Sequence, residues 1–130
     1  MRLLLDTCTF IWWLGTVAQL PRLVHDAIAD RSNEVFISTV TPWEIRIKLK
    51  LGKIADVPAA PDAQMLKAVQ SQGLNILPVL WPHAARAGEL PLHHRDPFDR
   101  MLVAQAQVEK LALLSPDPLF TPYDVDLMWR

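Results

Sequence analysis

Three short apolar runs limit what this chain can fold into. Leu3-Leu4-Leu5 breaks off at Asp6, Val35-Phe36-Ile37 at Ser38, and Leu111-Ala112-Leu113-Leu114 at Ser115. Each is a few residues long and apolar on both sides, as expected of strands buried on both faces of a sheet. Stretches of helical character separate them. Pro21 stands at the first turn of a helix running to Asp30, and Pro82–Leu90 and 97–110 read as further helices. Strands alternating with helices imply βαβ units and a parallel sheet, whose functional edge lies at the carboxyl ends of its strands.

The remaining elements follow from local signals. Thr9–Leu14 reads as a helical turn carrying Trp12 and Trp13. A Pro-rich connector, Pro58–Pro61, leads to a helix over Asp62–Gln72 that Gly73 stops. Ile76-Leu77-Pro78-Val79 reads as a third strand, with Pro78 requiring an edge or a strand end. A last strand is expected near Val125–Trp129. Between Ile45 and Leu51 apolar and basic residues alternate, which is the period of a strand. The preceding Thr41-Pro42 pair, the capping box Thr41 makes with Glu44, and Gly52 as a stop argue instead for a helix, and the helix is preferred.

At 130 residues and 51% hydrophobic composition the chain suits one soluble domain over 1–130. No apolar run approaches the roughly 20 residues that span a bilayer, and the N-terminus lacks a signal-peptide pattern, so a cytoplasmic protein is expected. The single cysteine, Cys8, excludes an internal disulfide and a cysteine zinc site, and reads as a small core residue. His25, His83, His93 and His94 lack zinc-ligand spacing and are expected on the surface or in loops. The net charge of −1 excludes only a uniformly basic nucleic-acid binder, since local patches contact phosphate. No glycine-rich phosphate loop is present.

One phrase is nearly written twice: Thr41-Pro42-Trp43-Glu44 and Asp96-Pro97-Phe98-Asp99. In both, a capping residue, a proline, an aromatic and a carboxylate open a helix. Thr41 and Asp96 read as caps; Glu44 and Asp99 then fall in the first turn, near the positive helix end. Asp6 follows the first strand and Asp117 the strand over 111–114. Each acid has an ordinary reading as a cap or turn residue, and local sequence admits both that and a ligand role. All four at one sheet edge would form an oxygen-only set suited to Mg²⁺ or Mn²⁺.

The chain resembles the PIN-domain nucleases, and among them the VapC-type toxins of toxin–antitoxin pairs. The likeness is carried by Leu3-Leu4-Leu5-Asp6-Thr7, Trp12-Trp13-Leu14, Ser38 with Trp43-Glu44-Ile45 and Lys48, and Leu51-Gly52-Lys53. It continues through Pro91 to Arg100, Ala104-Gln105-Ala106 and Ser115-Pro116-Asp117, with His-Arg-Asp-Pro-Phe-Asp-Arg its most specific block. The resemblance implies an α/β/α sandwich around a mainly parallel sheet of about five strands, with the stretch after Glu44 helical. It also implies a Mg²⁺- or Mn²⁺-dependent endoribonuclease neutralised by a small antitoxin, with Asp6, Glu44 and Asp99 as core acids and Asp117 as a more variable fourth. Members often carry histidine where this chain has Cys8.

Arg46, Lys48, Lys50, Lys53 and Arg100 are the candidates for holding the RNA backbone, against their ordinary reading as a solvated helix face. The apolar surplus, including five tryptophans, suits a homodimer face and an antitoxin groove as well as it suits a core. Two other functions compete. A catalytically silent module on the same fold would bind RNA or protein, but has no need of clustered carboxylates. An aspartyl phosphotransferase is disfavoured, because the second acid such enzymes carry two residues on is Cys8 here.

Overall fold

The computed structural model describes residues 1–54, 57 and 63–129. The expected connector Pro58–Pro61 and the expected helix start at Asp62 lie outside the described residues.

The chain alternates strand and helix: β1 (Arg2–Leu5), α1 (Thr7–Gly15), α2 (Arg22–Ala29), β2 (Glu34–Ser38), α3 (Val40–Lys50), α4 (Ala63–Ser71), β3 (Asn75–Leu77), α5 (Trp81–Glu89), α6 (Pro97–Glu109), β4 (Ala112–Leu114) and β5 (Leu127–Met128). The strands form one five-stranded sheet in the order β3-β2-β1-β4-β5, and every pairing is parallel. Leu3 lies opposite Val35 and Ala112, and Leu5 opposite Ile37 and Leu114. β1 is therefore central, and its three leucines are fully buried. β3 is an edge strand and stops before Pro78, which has no N–H for a ladder.

Side chains alternate across β1, so the central strand feeds two cores. Leu3 and Leu5 join Phe10, Val24, Ile45, Met65 and Val69, which come from α1–α4. Leu4 joins Leu90, Leu102, Val103, Leu113 and Phe120, under α5 and α6. Each fully buried leucine removes enough apolar surface from water to contribute about 1.5–3 kcal/mol. The result is an α/β/α sandwich.

Helix ends follow local chemistry at most points. Gly52 and Gly73 adopt φ of +66° and +76°. Past each, an N–H reaches back five residues, Lys53 to the Lys48 carbonyl at 2.9 Å and Leu74 to Val69 at 3.1 Å, the closure that needs a left-handed residue. Lys110 makes the same closure after α6 at φ 56°, with Leu111 N–H on the Ala106 carbonyl at 2.9 Å. A side chain there is strained. Lys110→Gly is expected to stabilise the protein by about 0.5–1 kcal/mol, read as a rise in denaturation midpoint at constant m-value.

Two local expectations are corrected. Thr41 is not the cap of α3, which begins at Val40; the Val40 N–H instead donates to the Ser38 hydroxyl at 3.1 Å. Thr41 is buried inside the first turn and its hydroxyl has no partner among the described residues, so the capping box with Glu44 does not form. A proline fits any position of a first turn, since those N–H groups are unpaired anyway, and Pro42 therefore allowed the earlier start. One histidine also differs: His83 is buried inside α5, where its ring bridges α5 and α6 by accepting from Leu80 N–H at 3.0 Å and pairing with Glu109 at 2.7 Å, while His94 lies in a loop as expected but is buried there.

Candidate active site

The strand order turns back between β1 and β4, and the site lies at their carboxyl ends, the position the parallel topology favours. Asp6 is the first residue past β1 and caps α1, its Oδ1 accepting from Thr9 N–H at 2.8 Å. That cap begins the helix at Thr7, ahead of the Thr9 start expected from sequence. The other carboxylate oxygen accepts from the Ser115 hydroxyl at 2.5 Å, and Ser115 Oγ in turn accepts from Asp117 N–H at 3.0 Å. One serine thus ties the ends of β1 and β4 together.

Glu44 projects from α3 and is 1% exposed. The Thr7 hydroxyl donates to its Oε1 at 2.5 Å, and Lys48, one turn on, pairs with Oε2. Lys48 also lies 3.5 Å from the Asp96 carboxylate, so it bridges α3 to the start of α6. Asp96 caps α6 by accepting from Phe98 N–H at 2.9 Å, with Pro97 in the first helical position and Asp99 in the first turn. Trp43 and Phe98, the aromatics of the repeated phrase, meet edge to face at 4.9 Å and join the two helix starts.

His94 connects the remaining acids. Its Nε2 lies 2.9 Å from Asp117 and 3.1 Å from Asp99. Its Nδ1 accepts from Asp96 N–H at 3.2 Å, which assigns the proton to Nε2 in the neutral ring. The backbone N–H of His94 donates to Tyr123 Oη at 2.9 Å, and Tyr123 donates to the Pro91 carbonyl at 2.6 Å. Asp117 uses its second oxygen to cap the short 3₁₀ turn Pro118–Phe120, accepting from Leu119 N–H at 2.9 Å. Pro118 takes the first position of that turn, so the flanking prolines leave the Asp117 carboxylate directed at His94.

Asp6, Glu44, Asp99 and Asp117 share one cavity of about 540 Å³, with Lys48 beside them. Concentrating acids there has an electrostatic cost. Burial, then the charges of Asp96, Glu44 and Asp6, push the Asp99 carboxyl up to about 8, with Lys48 opposing. Burial likewise raises Asp6, against the hydrogen bonds from Ser115 and Thr9. Burial lowers the Lys48 ammonium, but its pairing with Glu44 outweighs this and the net shift is upward. Cys8 lines the cavity half-buried, and burial plus the Asp6 charge push its thiol up to about 11, the wrong direction for a nucleophile.

The donor set suits a hard divalent cation. Among the described residues, Glu44, Asp96 and Asp99 bring carboxylate oxygens within 4.8 Å of one another, and so do donor atoms of His94, Asp99 and Asp117. Asp99 belongs to both sets. Asp6 belongs to neither, although it lines the same cavity and its charge is felt at Asp99. A carboxyl held protonated by burial and by its acidic neighbours is one that a divalent cation would ionise.

The sequence matches the PIN domain family over residues 3–125. The chain belongs to the PIN domain family. No curated protein matches it. Among solved structures, VapBC2 from Rickettsia felis bound to a DNA fragment from their promoter is similar at 15% identity over 100% of both chains, with TM-score 0.69. VapBC-5 from Mycobacterium tuberculosis shares 22% identity over 99% of this chain and 98% of that one, at TM-score 0.64. VapBC-1 from nontypeable Haemophilus influenzae shares 16% over 98% and 97%, at TM-score 0.63. At such identities the likeness is one of fold.

Within this PIN domain the cationic candidates divide. Lys48 is taken up by Glu44 and Asp96. Arg100 is half-buried and clamps the preceding loop, donating to the His94 and Arg95 carbonyls at 3.4 and 3.1 Å. Arg46, Lys50 and Lys53 are exposed and do not line the cavity. Thr7, Ser115 and His94 were given no site role from sequence, although each stands in a motif that carries the resemblance.

Asp96 is more than the cap it resembles in sequence, since its free oxygen faces Lys48 and the other acids. Asp96→Asn is expected to keep α6, because asparagine caps as well as aspartate, with a change in stability of under about 1 kcal/mol. By removing one repelling charge it should also lower the Asp99 pKa, read by NMR titration of the Asp99 carboxyl.

Proposed function

We propose that this chain is a metal-dependent endoribonuclease, the toxin of a toxin–antitoxin pair. The observation that carries the reading is the meeting of Asp6, Glu44, Asp99 and Asp117, from four separate stretches of sequence, around one cavity at the switch point of the sheet. Membership of the PIN domain family and the likeness to VapBC complexes support it.

Mg²⁺ or Mn²⁺ would be held by Asp99 and Glu44, with Asp6 and Asp117 completing the set through lone pairs their present hydrogen bonds leave free. Bound there, such an ion supplies positive charge that stabilises a phosphodiester in its transition state and makes water more acidic. Thr7 and Lys48 fix the Glu44 carboxylate, so it can accept a proton from an attacking water without moving. Ser115 and Thr9 fix Asp6 in the same way. The water oxygen bonds to phosphorus in line with the departing 3′ oxygen. The P–O3′ bond breaks, and the 3′ oxygen takes a proton, leaving 3′-hydroxyl and 5′-phosphate ends. Lys48, beside the acids, is the nearest cation for a phosphate oxygen.

The proposed partners are the RNA substrate, a second copy of the chain and a small cognate antitoxin. The test is incubation of end-labelled RNA with the protein and Mg²⁺ or Mn²⁺, with and without EDTA. Cleavage that EDTA abolishes and that leaves 5′-phosphates is expected; RNA left intact under every metal condition overturns the reading.

A further inference from the structure

The cavity is larger than an ion and a phosphodiester require, and its far half differs in chemistry from the acid end. From Asp6 it follows α1. Trp12 lies on the order of 9 Å beyond the cap at about 1.5 Å per residue, and Thr16 and Gln19 continue the wall past the helix end. Ile11 and Ile54 add apolar surface to its lining. The Trp12 ring is half-buried and braced by Trp129, with centroids 5.8 Å apart and planes at 44°. Among the described residues, the Thr16 hydroxyl and the Gln19 amide make no hydrogen bond.

The charges narrow what can enter. Lys48 is the only cation lining the cavity among the described residues, and it is paired with acids. A phosphate in the far half would meet no positive charge, whereas a neutral planar group would find an aromatic ring, aliphatic walls and free polar atoms. The far half is continuous with the acid end, so its occupant fits best as part of the molecule handled there.

We propose that the α1 half of the cavity binds an unpaired nucleobase flanking the phosphodiester, stacked on Trp12 with its edge read by Gln19. This rests on the ribonuclease reading and deepens it: the substrate is single-stranded at the cut, because a base held in a helix cannot leave its stack to reach Trp12. Trp12 supplies affinity for any base. Gln19, with a donor and an acceptor on one amide, supplies the choice among bases.

The test measures binding, so that it stands apart from cleavage. Asp99→Asn protein in Mg²⁺ is titrated into fluorescein-labelled short RNAs of a single sequence, prepared single-stranded, as a duplex, and with one abasic site stepped along the strand. One abasic position and the duplex should each weaken binding by about 5- to 100-fold. Adding Trp12→Ala should cause a similar loss on the intact strand and erase the penalty at that abasic position, while Trp12→Phe should restore most of both. Gln19→Ala, an exposed change that does not threaten the fold, should flatten differences among the four bases at that position. An abasic penalty that survives Trp12→Ala in a folded protein overturns the proposal, as does equal affinity for duplex and single strand. Trp12-dependent discrimination in a protein that cleaves no RNA with any metal would uphold this pocket while the nuclease reading fails. Cleavage without such discrimination would do the reverse.

Discussion

Asp6→Asn and Asp99→Asn are each expected to cut metal-dependent RNA cleavage by about 10²- to 10⁴-fold without unfolding the protein, the scale seen when one group of a catalytic set is removed. The substitution is nearly isosteric, so packing is preserved. At position 6 the side-chain oxygen still caps Thr9 N–H, and the new amide can donate to Ser115 Oγ, which has lone pairs to accept it. At position 99 the side chain remains in the first turn of α6 facing His94. What each loses is a carboxylate that a bound divalent cation would ionise and hold. The assay is single-turnover cleavage of labelled RNA, with circular dichroism to verify the fold. If either folded variant cleaves within about threefold of the parent, the assignment of that acid fails.

The second large effect concerns stability and has the opposite sign. Asp99 stands at about 8 in the folded protein against an ordinary 3.8. Between those values the native state binds more protons than the unfolded chain, so stability falls as pH rises through that window. Below about pH 4 the carboxyl is protonated in both states and makes no difference. Asparagine carries no titrating proton and abolishes this part of the slope. Metal-free Asp99→Asn should therefore match the parent near pH 4 and exceed it at pH 8 by about 2 kcal/mol, or roughly 5–10 °C in Tm. Saturating Mg²⁺ should stabilise the parent more than the variant and narrow the gap, since only the parent keeps the whole ligand set. A variant less stable than the parent at pH 8 without metal would show that Asp99 is held by favourable contacts and is not crowded by charge.

The two effects share a cause. Acids that repel one another make the site costly for the folded chain, and the same repulsion gives a divalent cation its place. A silent binding module would gain nothing from keeping such a cost.

Much of the architecture was legible because the signals were local. Buried strands read as continuous apolar runs, Gly52 and Gly73 marked helix ends that need a left-handed residue, and Asp96-Pro97 marked a start. Asp6, Glu44, Asp99 and Asp117 could be nominated because each lay at or soon after a strand end, or in the first turn of a helix. The errors arose where a local motif competed with a distant partner. Thr41 and Glu44 form a plausible capping box in sequence, yet Glu44 pairs with Thr7 from another helix and with Lys48. His94 does lie in a loop, but its burial and its place between two carboxylates were not foreseen, because nothing beside it in sequence shows the acids that its ring joins.

The sequence by itself determined the order of strands and helices and the parallel sheet, and nominated four candidate acids, since these depend on residue type and on spacing within a few positions. Only the tertiary structure decided which acids share a cavity, that Asp99 is the most crowded of them, and that Lys48 and Arg100 are engaged in holding the site together. Those facts depend on distances between β1, α3, α6 and the segment after β4. Such distances are set by how two cores pack on opposite faces of one sheet, and they leave no trace in the local order of residues.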